Sequence, residues 1–401
     1  MPVTRYILSF FILFSYLPAY AENTPQGFGA GTIGGAGGAV VRVHNRNELQ
    51  HALCQTYGPG GFCSDATPRI VEVDGTFDYT GTEGRDAKPG CLYGDACPAS
   101  SPYKSEMLAL LNSDDKHCDG KPIIQVAFDN APNNPLKVGS NKTVIGIGAS
   151  ATLKGKGLAL KGVRNVIIRN LTFSDINQGV IFAGDALTLD DVDHVWIDHN
   201  HFKNIGRQMI VGGFKPTLHV SISWNDFDGE NLYSHNCSGK HYWNLLMAAK
   251  AQSITMSYNW FHHFSGRAPK IGGDDVVVHM VNNYFEDGSW HALDAVDPAR
   301  VLVEGNDFEN VVLPITRTDH PGHIFGMQGD LDVSSQAKCH AVLGRSCLGN
   351  IANPPPKVNG FNTDSSVLDA FAKIPGPQIE SPIPAQDVPA MVKAGAGTGH
   401  I

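Results

Sequence analysis

The chain is short of positive charge. Its 401 residues include 30 Lys and Arg against 39 Asp and Glu, which gives a formal net charge of −9. It lacks the basic stripe that phosphate binding needs, so we expect no nucleic-acid partner. The acidic balance also weighs against a densely anionic substrate, unless positive charge is concentrated locally or a cation intervenes.

Long apolar runs are lacking beyond the N-terminus. The mostly apolar residues 6–17 follow Arg5 and precede Ala19-Tyr20-Ala21, a small-x-small cleavage pattern. Together they predict a secretory signal peptide over residues 1–21, too short for a membrane span. No second apolar run approaches ~18 residues, so we expect a secreted, extracellular protein that does not bind membranes.

No Cys-x-x-Cys pair is present, which argues against a cysteine metal site. All eight cysteines follow the predicted signal peptide and fit an oxidising compartment. They could form four disulfides, but spacing alone leaves the pairing open.

Asn-Gly hairpin turns are scarce, which disfavours a β-sandwich, the main alternative for regular short strands. Instead, six stretches share one pattern, in which a run of apolar or alternating apolar and polar residues is followed by Asn, any residue and Phe. In the first stretch, which ends at Phe173, the Asn stands one position earlier. The Phe positions are 173, 202, 227, 261, 285 and 308. Repeats of this length predict a parallel β-helix in which the Phe side chains stack as an internal ladder. We expect each Asn to turn a corner in the left-handed (αL) conformation.

The remaining segments flank these coils. Residues 47–57 predict a short N-terminal capping helix, with Asn47 as its cap and Gln50 at the capping-box position. Residues 69–77 predict the first strand, residues 80–119 a long loop region, and residues 123–314 the coils. We expect one catalytic domain over residues 22–349. Residues 350–401 form a tail rich in Pro, Gly and Ala that wraps the coils or is partly disordered.

Four motifs carry the strongest functional signal: 184–190 (GDALTLD), 195–200 (VWIDHN), 206–208 (GRQ) and 265–270 (SGRAPK). With the segments 241–243 (HYW) and 344–347 (GRSC), they make residues 27–348 resemble the pectin and pectate lyase superfamily, and the pectin lyase branch in particular. The resemblance implies a right-handed, single-stranded parallel β-helix with long loops forming a groove.

Two positions distinguish the branches. Pectate lyases carry an acidic calcium site after the segment resembling 196–199, where this chain has Arg207. They also tend to show Arg-x-Pro-x-x-Arg, whereas here Gly272 stands at the second Arg position. A fixed guanidinium can supply the positive charge of a calcium ion. Both departures suit a methyl-esterified substrate, and we expect no cofactor and no metal.

The resemblance implies β-elimination at a galacturonic acid methyl ester. Arg267 would accept the C5 proton, which requires a neutral fraction of its guanidine or assistance from the neighbouring Arg207 cation. Arg207 could also stabilise the developing oxyanion. Asp185 would orient Arg207 through an ion pair. Arg207 and Arg267 are 60 residues apart, about two coils, so we expect them to meet on one wall.

The same resemblance implies the binding groove. Tyr242, Trp243 and Phe182 would contact sugar rings, and Lys270 substrate carboxylates. The long loop contributes Tyr93 and Tyr103. The disulfides implied are Cys91–Cys118, Cys97–Cys237 and Cys339–Cys347, with Cys54 and Cys63 as the remaining pair. The expected partner is methyl-esterified pectin, bound by a monomer.

Alternative interpretations stay open. Trp196-Ile197-Asp198-His199 is the most recognisable motif, but we interpret His199 as a core histidine. His201, His262 and His263 invite a metal site but lie on different coils. A calcium-dependent pectate lyase and a non-catalytic, pectin-binding β-helix are the competing functions.

Overall fold

The computed structural model describes residues 24–110, 116–316, 320–358 and 360–401. The predicted signal peptide therefore lies outside the described residues. None of the helices in the described ranges is long and apolar enough to span a lipid bilayer.

The described chain winds into stacked coils whose strands pair almost entirely in parallel. This confirms the predicted parallel β-helix. The first sheet contains the strands Ala39–Val43, Arg69–Val73, Leu136–Val138, Lys142–Gly146, Leu158–Arg169, Leu187–Asp198, Ile210–Gly212, Thr217–Ser223, Leu245–Met247, Ala251–Ser257, Lys270–Ile271, Asp275–Val281, His291–Ala295, Arg300–Glu304, Leu313–Thr316, His323–Gly326 and Asn362–Thr363.

A second sheet closes the coils on another side. Its strands are Thr76–Asp78, Thr152–Lys154, Thr172–Ile176, His201–Ile205, Asp226–Asp228, Trp260–His262, Tyr284–Glu286, Asp307–Glu309 and Ile351–Asn353. An accessory sheet beside the coils contains Arg85–Tyr93, Lys104–Ala109, Ile124–Asp129 and Val180–Ile181, and Tyr233–Ser234 pairs with its second strand.

The phenylalanine ladder is present. In-register pairing places the six predicted Phe side chains one above the next, with successive ring centroids 4.5–5.1 Å apart and ring planes within 13° of parallel. All six rings are buried. Stacked aromatic pairs contribute about 0.5–1.5 kcal/mol each beyond their buried area, so the ladder holds the coils in register.

An asparagine ladder runs beside it. The side-chain amide of each member donates to the next at 2.9–3.0 Å, through Asn200, Asn225, Asn259, Asn283, Asn306 and Asn350. The αL conformation lies one residue before the ladder position, as at His199, Trp224 and Tyr258, and not on Asn as we expected. In the first repeat Asn170 takes the αL position, which explains why its Asn stands one place early.

The N-terminal helix is Arg46–Leu53, shorter than predicted. Asn45, not Asn47, caps it by accepting from the N–H groups of Asn47 and Glu48. Glu48, not Gln50, stands at the capping-box position, where it accepts from the Asn45 side-chain amide and from the N–H of His44, the residue before the cap. Leu49, Ala52 and Leu53 are buried in the same core as the coils, so the helix covers their open end.

Two other predictions were wrong. The first described strand is Ala39–Val43, and the segment 69–77 divides into parts of two strands on different sheets. The region 80–119 is not simply a loop, because Arg85–Tyr93 pairs antiparallel with Lys104–Ala109. Local spacing did not reveal this pair because Pro89 and Gly90 interrupt its first strand.

The other helices lie late in the chain. They are Val333–Leu343, Ser365–Phe371 and Val388–Gly395, with short 3₁₀ turns at Gly27–Gly29, Pro59–Gly61, Ala131–Asn133, Gly376–Gln378 and Ala385–Asp387. Phe371 packs against Phe28 and His279, in a cluster with Leu302 and Phe325 on the outer face of the coils. Val388 and Val392 pack against Tyr284 on the outer wall.

Candidate active site

One side of the first sheet carries the predicted site, and we call it the groove face. It consists of residues 158–161 and 187–190 of two long strands, with Leu136–Val138, Ile210–Gly212, Leu245–Met247, Lys270–Ile271, His291–Ala295 and Leu313–Thr316. Asp185, Arg207, Tyr242 and Arg267 all lie in the turns that enter these strands. Stacking of the coils therefore brings residues distant in sequence onto one wall.

Arg207 and Asp185 form the first part of the site. Arg207 Nη1 lies 3.1 Å from Asp185 Oδ2, and Asp185 Oδ1 accepts from the Gln208 N–H at 3.0 Å. Burial raises the pKa of Asp185, although the Arg207 charge and the Gln208 N–H oppose this shift. The Arg207 guanidinium also lies 4.9 Å from the Phe182 ring centroid. The carboxylate thus sets the direction of this guanidinium.

Arg267 has different surroundings. Its guanidinium carbon lies 4.6 Å from the Trp243 ring centroid and 5.5 Å from that of Tyr242. None of the described carboxylates forms an ion pair with it. Its Nε is buried and without a hydrogen-bond partner among the described residues, as is the Nε of Arg207. Ring faces, and not an acidic partner in the described part of the chain, therefore position the Arg267 guanidinium.

The two arginines lie close together. The strands that follow them, Ile210–Gly212 and Lys270–Ile271, both pair with Leu245–Met247. Two strand spacings, roughly 10 Å, therefore separate their backbones. A single sugar unit and its neighbour can contact both side chains.

The predicted aromatic residues differ in accessibility. Tyr242 is half-buried, whereas Trp243 is only 5% exposed and lies beneath Arg267. The Trp243 indole N–H donates to Glu106 Oε2 at 3.0 Å. Trp243 thus supports Arg267 more than it offers a ring face to a sugar. Phe182 contacts His117 edge-on at 5.6 Å.

Lys270 carries a partner of its own. Its Nζ lies 2.8 Å from Asp294 Oδ2 on the neighbouring strand. This ion pair offsets part of the positive charge that Lys270 would present to a substrate carboxylate.

Three groove residues were missed by the sequence reasoning. His291 accepts from the Arg267 N–H at its Nε2, 3.3 Å away, and burial lowers its pKa to about 4. Trp290 is 46% exposed, and its ring lies 6.0 Å from Tyr242. Glu106 is buried below Trp243. The coil period was a usable signal for His291, which follows Arg267 by 24 residues and so lies one coil further along.

The four disulfides in the structure are Cys54–Cys63, Cys91–Cys118, Cys97–Cys237 and Cys339–Cys347. They are the pairs implied by the family resemblance. The second and third tie the accessory sheet beside the groove, and so help to hold Tyr93 near Trp243.

The histidines of the alternative interpretations lie outside the groove face. His199 is buried and hydrogen-bonded to Asp198 at 2.6 Å, as expected of a core histidine. His201 and His262 both bind the carboxylate of Asp226, at 2.6 and 2.8 Å. His262 Nδ1 also lies 2.8 Å from His263 Nδ1 and 3.7 Å from Asp228 Oδ1, so Asp228, His262 and His263 bring three possible metal-ligand atoms close together.

Comparison with known proteins places these features in a family context. Residues 110–207 match the sequence profile of the family described as "Pectate lyase". "Probable pectin lyase E" of Aspergillus fumigatus is 37% identical, over 97% of this chain and 98% of its own. "Probable pectin lyase F" of Neosartorya fischeri is 36% identical, over 96% and 97%.

Solved structures share the fold. The pectate lyase of Bacillus sp. N165, determined in complex with trigalacturonate, superposes with a TM-score of 0.55 at 19% identity, covering 94% of this chain and 99% of its own. The pectate lyase of Acidovorax avenae subsp. citrulli gives 0.54 at 18% identity, covering 98% and 99%.

Proposed function

Because this chain belongs to the pectin lyase family, we propose that it cleaves methyl-esterified galacturonan by β-elimination at Arg207 and Arg267. The chain is a polysaccharide lyase that acts on pectin-type polysaccharide. The observation that carries the finer proposal is the difference between the two arginines. Arg207 is held by Asp185, whereas Arg267 lies on aromatic rings without a carboxylate partner among the described residues.

The reaction breaks the α-1,4 bond without adding water. A base removes the C5 proton, which is acidic because it is α to the ester carbonyl. Electron density moves to the carbonyl oxygen and then forms the C4–C5 double bond as the glycosidic oxygen leaves C4. The leaving oxygen takes up a proton from the protonated base or from solvent and becomes the hydroxyl of a new reducing end. The products are a new non-reducing end with a 4,5-unsaturated uronate and a shortened chain.

Arg267 is the proposed proton acceptor. The Trp243 and Tyr242 faces hold its guanidinium in place. Because no described carboxylate forms an ion pair with it, nothing in this part of the chain competes with substrate for that group. The His291 ring accepts from the Arg267 N–H and holds the backbone, which has a φ of 46° at this residue.

Arg207 is the proposed oxyanion stabiliser. Asp185 fixes its direction, so its positive charge is in place before charge develops on the ester carbonyl. Half-buried Tyr242 and exposed Trp290 are the proposed sugar-stacking surfaces, with Trp243 supporting Arg267 and Phe182 supporting Arg207. Lys270 remains a proposed substrate contact, and its ion pair with Asp294 weakens the attraction of its charge for a substrate carboxylate.

The donor set does not fit calcium. Calcium takes 6–8 oxygen ligands, often several carboxylates. Here Asp185 is already engaged by Arg207 and Gln208, and Asp294 by Lys270. Two guanidinium groups take the place where oxygen ligands would be needed, so we propose calcium-independent action on an uncharged ester.

We also propose that the protein is secreted and acts as a monomer. All eight cysteines are paired, which suits an oxidising compartment. Size-exclusion chromatography with light scattering would test the monomer, and detection in the culture medium would test secretion.

The deciding experiment follows the ultraviolet absorbance of the unsaturated uronate. Highly methylated pectin and polygalacturonate are compared, each with and without chelator. Product from methylated pectin that is indifferent to chelator supports the proposal. Product from polygalacturonate alone, lost with chelator, would instead assign a calcium-dependent pectate lyase. Binding without product would assign a non-catalytic pectin-binding protein.

A further inference from the structure

A cavity of about 540 Å³ lies on the groove face, toward the N-terminal coils from Asp185. One wall comes from the segment before and within the Cys54–Cys63 disulfide loop, including Tyr57 and Phe62. The floor includes Lys137 and Lys161, and Glu83 and Lys156 lie at another side.

The cavity is continuous with the row of residues that leads to the candidate active site. Adjacent strands align Lys137 with Ala159, Thr188, Val211, Leu246 and finally Lys270. These five steps correspond to roughly 24 Å at the usual strand spacing. A polysaccharide that crosses Arg207 and Arg267 and continues along this face therefore reaches the cavity several sugar units away.

The cavity is locally positive in a chain of net negative charge. Among the described residues, Lys137 and Lys161 form no ion pair, whereas Lys156 pairs with Glu83. Lys161 lies opposite Asp190, whose carboxylate accepts from the Lys215 N–H. Lys137 is therefore the clearest uncompensated cation of the cavity.

Exposed aromatic rings accompany this charge. Tyr57 is 48% exposed and Phe62 is 49% exposed. Lys137 Nζ lies 5.7 Å from the Tyr57 ring centroid. A cation beside accessible ring faces can bind a sugar ring that carries a carboxylate, because the ring stacks while the charge pairs. A methyl ester offers nothing for the lysine to neutralise.

We propose that this cavity is a distal subsite for a free galacturonate carboxylate. The inference rests on the proposed function. The enzyme then favours partially esterified pectin in which an unesterified unit lies several units from the cleaved bond, while the unit at Arg267 stays esterified. Substrate selection depends on the pattern of esterification as well as its degree.

The test compares fully methyl-esterified and partially de-esterified pectin of equal length. We expect wild-type KM to be lower for the partially de-esterified substrate. Lys137→Gln should raise that KM about 3- to 10-fold, as expected for loss of one ordinary hydrogen bond at a water-exposed site, and should raise KM for the fully esterified substrate much less. Added salt should reduce the difference between substrates. Lys203→Gln, an exposed lysine on the second sheet, is the matched control.

Equal KM changes on the two substrates in Lys137→Gln would overturn the subsite. If the wild type makes no product from either pectin, the proposed function fails, and calorimetric binding of de-esterified oligogalacturonate tests the subsite separately. Weaker binding by Lys137→Gln than by Lys203→Gln supports it, and equal binding rejects it.

Discussion

The guanidinium of Arg267 lies 4.6 Å above the Trp243 ring, and this contact sets the proposed proton acceptor apart from its neighbour. Trp243 is itself fixed by a hydrogen bond to the buried Glu106. Arg207, by contrast, is held by the Asp185 carboxylate. One cation is thus oriented by charge and the other by aromatic faces, which suits two different tasks in one elimination.

Arg267→Ala should lower kcat by about 10²- to 10⁴-fold, the range typical of a lost general base. The fold should persist because the residue lies in a turn outside the Phe and Asn ladders. Initial rates on methylated pectin and the thermal unfolding midpoint check both parts. Arg164→Ala, an exposed arginine paired with Asp191, is the control. Wild-type turnover by Arg267→Ala would remove this residue from the mechanism.

Asp185→Asn should lower kcat about 10- to 100-fold, because Arg207 loses its ion pair and its fixed direction. Burial raises the pKa of Asp185, so protonation should break the pair at a pH above the ordinary aspartate range. Wild-type kcat/KM should therefore decrease at acidic pH, whereas kcat/KM of Asp185→Asn should show no such decrease. A pH–rate profile checks this. An identical decrease of kcat/KM at acidic pH in both proteins would contradict this prediction.

Asn259→Ala should destabilise the fold by about 2–4 kcal/mol. The side chain accepts from the Asn225 amide at 3.0 Å and donates to Asn283 at 2.9 Å, in a fully buried position. Truncation leaves the buried Asn225 N–H, which donates to the same Asn259 oxygen, without a partner, and it removes one hydrogen bond from each neighbouring asparagine. Denaturant unfolding measures the loss, and Asn134→Ala, which removes an exposed hydrogen bond to Glu83, serves as the control. Equal effects of the two substitutions would show that the ladder adds no stability.

Asp307→Asn should stabilise the protein at neutral pH. Burial, assisted by Glu309, raises the pKa of Asp307 to about 6. Since the unfolded pKa is about 3.9, the folded state binds the extra proton between these values, and wild-type stability falls as pH rises through that window. The variant lacks this loss, so its advantage should grow to about 1–3 kcal/mol by pH ~7. Free energies of unfolding of wild type and Asp307→Asn, measured at pH ~4 and ~7, test this prediction.

Asp226→Asn provides the opposite case. Burial alone would raise the pKa of Asp226, but hydrogen bonds from His201 and His262 outweigh it and lower the pKa to about 2. Its ionised form stabilises the fold above the unfolded pKa, so this variant should be less stable than wild type at neutral pH. Changes of unfolding free energy of the same sign for Asp307→Asn and Asp226→Asn at neutral pH would refute the assigned pKa shifts.

The coils were predictable from the sequence by itself. A stacked coil repeats its geometry at each turn, so Phe173 through Phe308 recur at equivalent positions and their spacing shows the architecture. The separation of Arg207 and Arg267 predicted their common wall for the same reason. The motifs around them were sufficient to indicate the family.

Only the tertiary structure decided how the remaining parts meet. The αL corner at His199, the strands within residues 80–119, the support of Trp243 by Glu106 and the cavity at Lys137 depend on contacts between segments on different coils or loops. Such contacts depend on packing and on buried polar groups finding partners, which leave no periodic trace in the chain. The repeat therefore determined the scaffold, while packing between coils and loops determined the surroundings of each charged group.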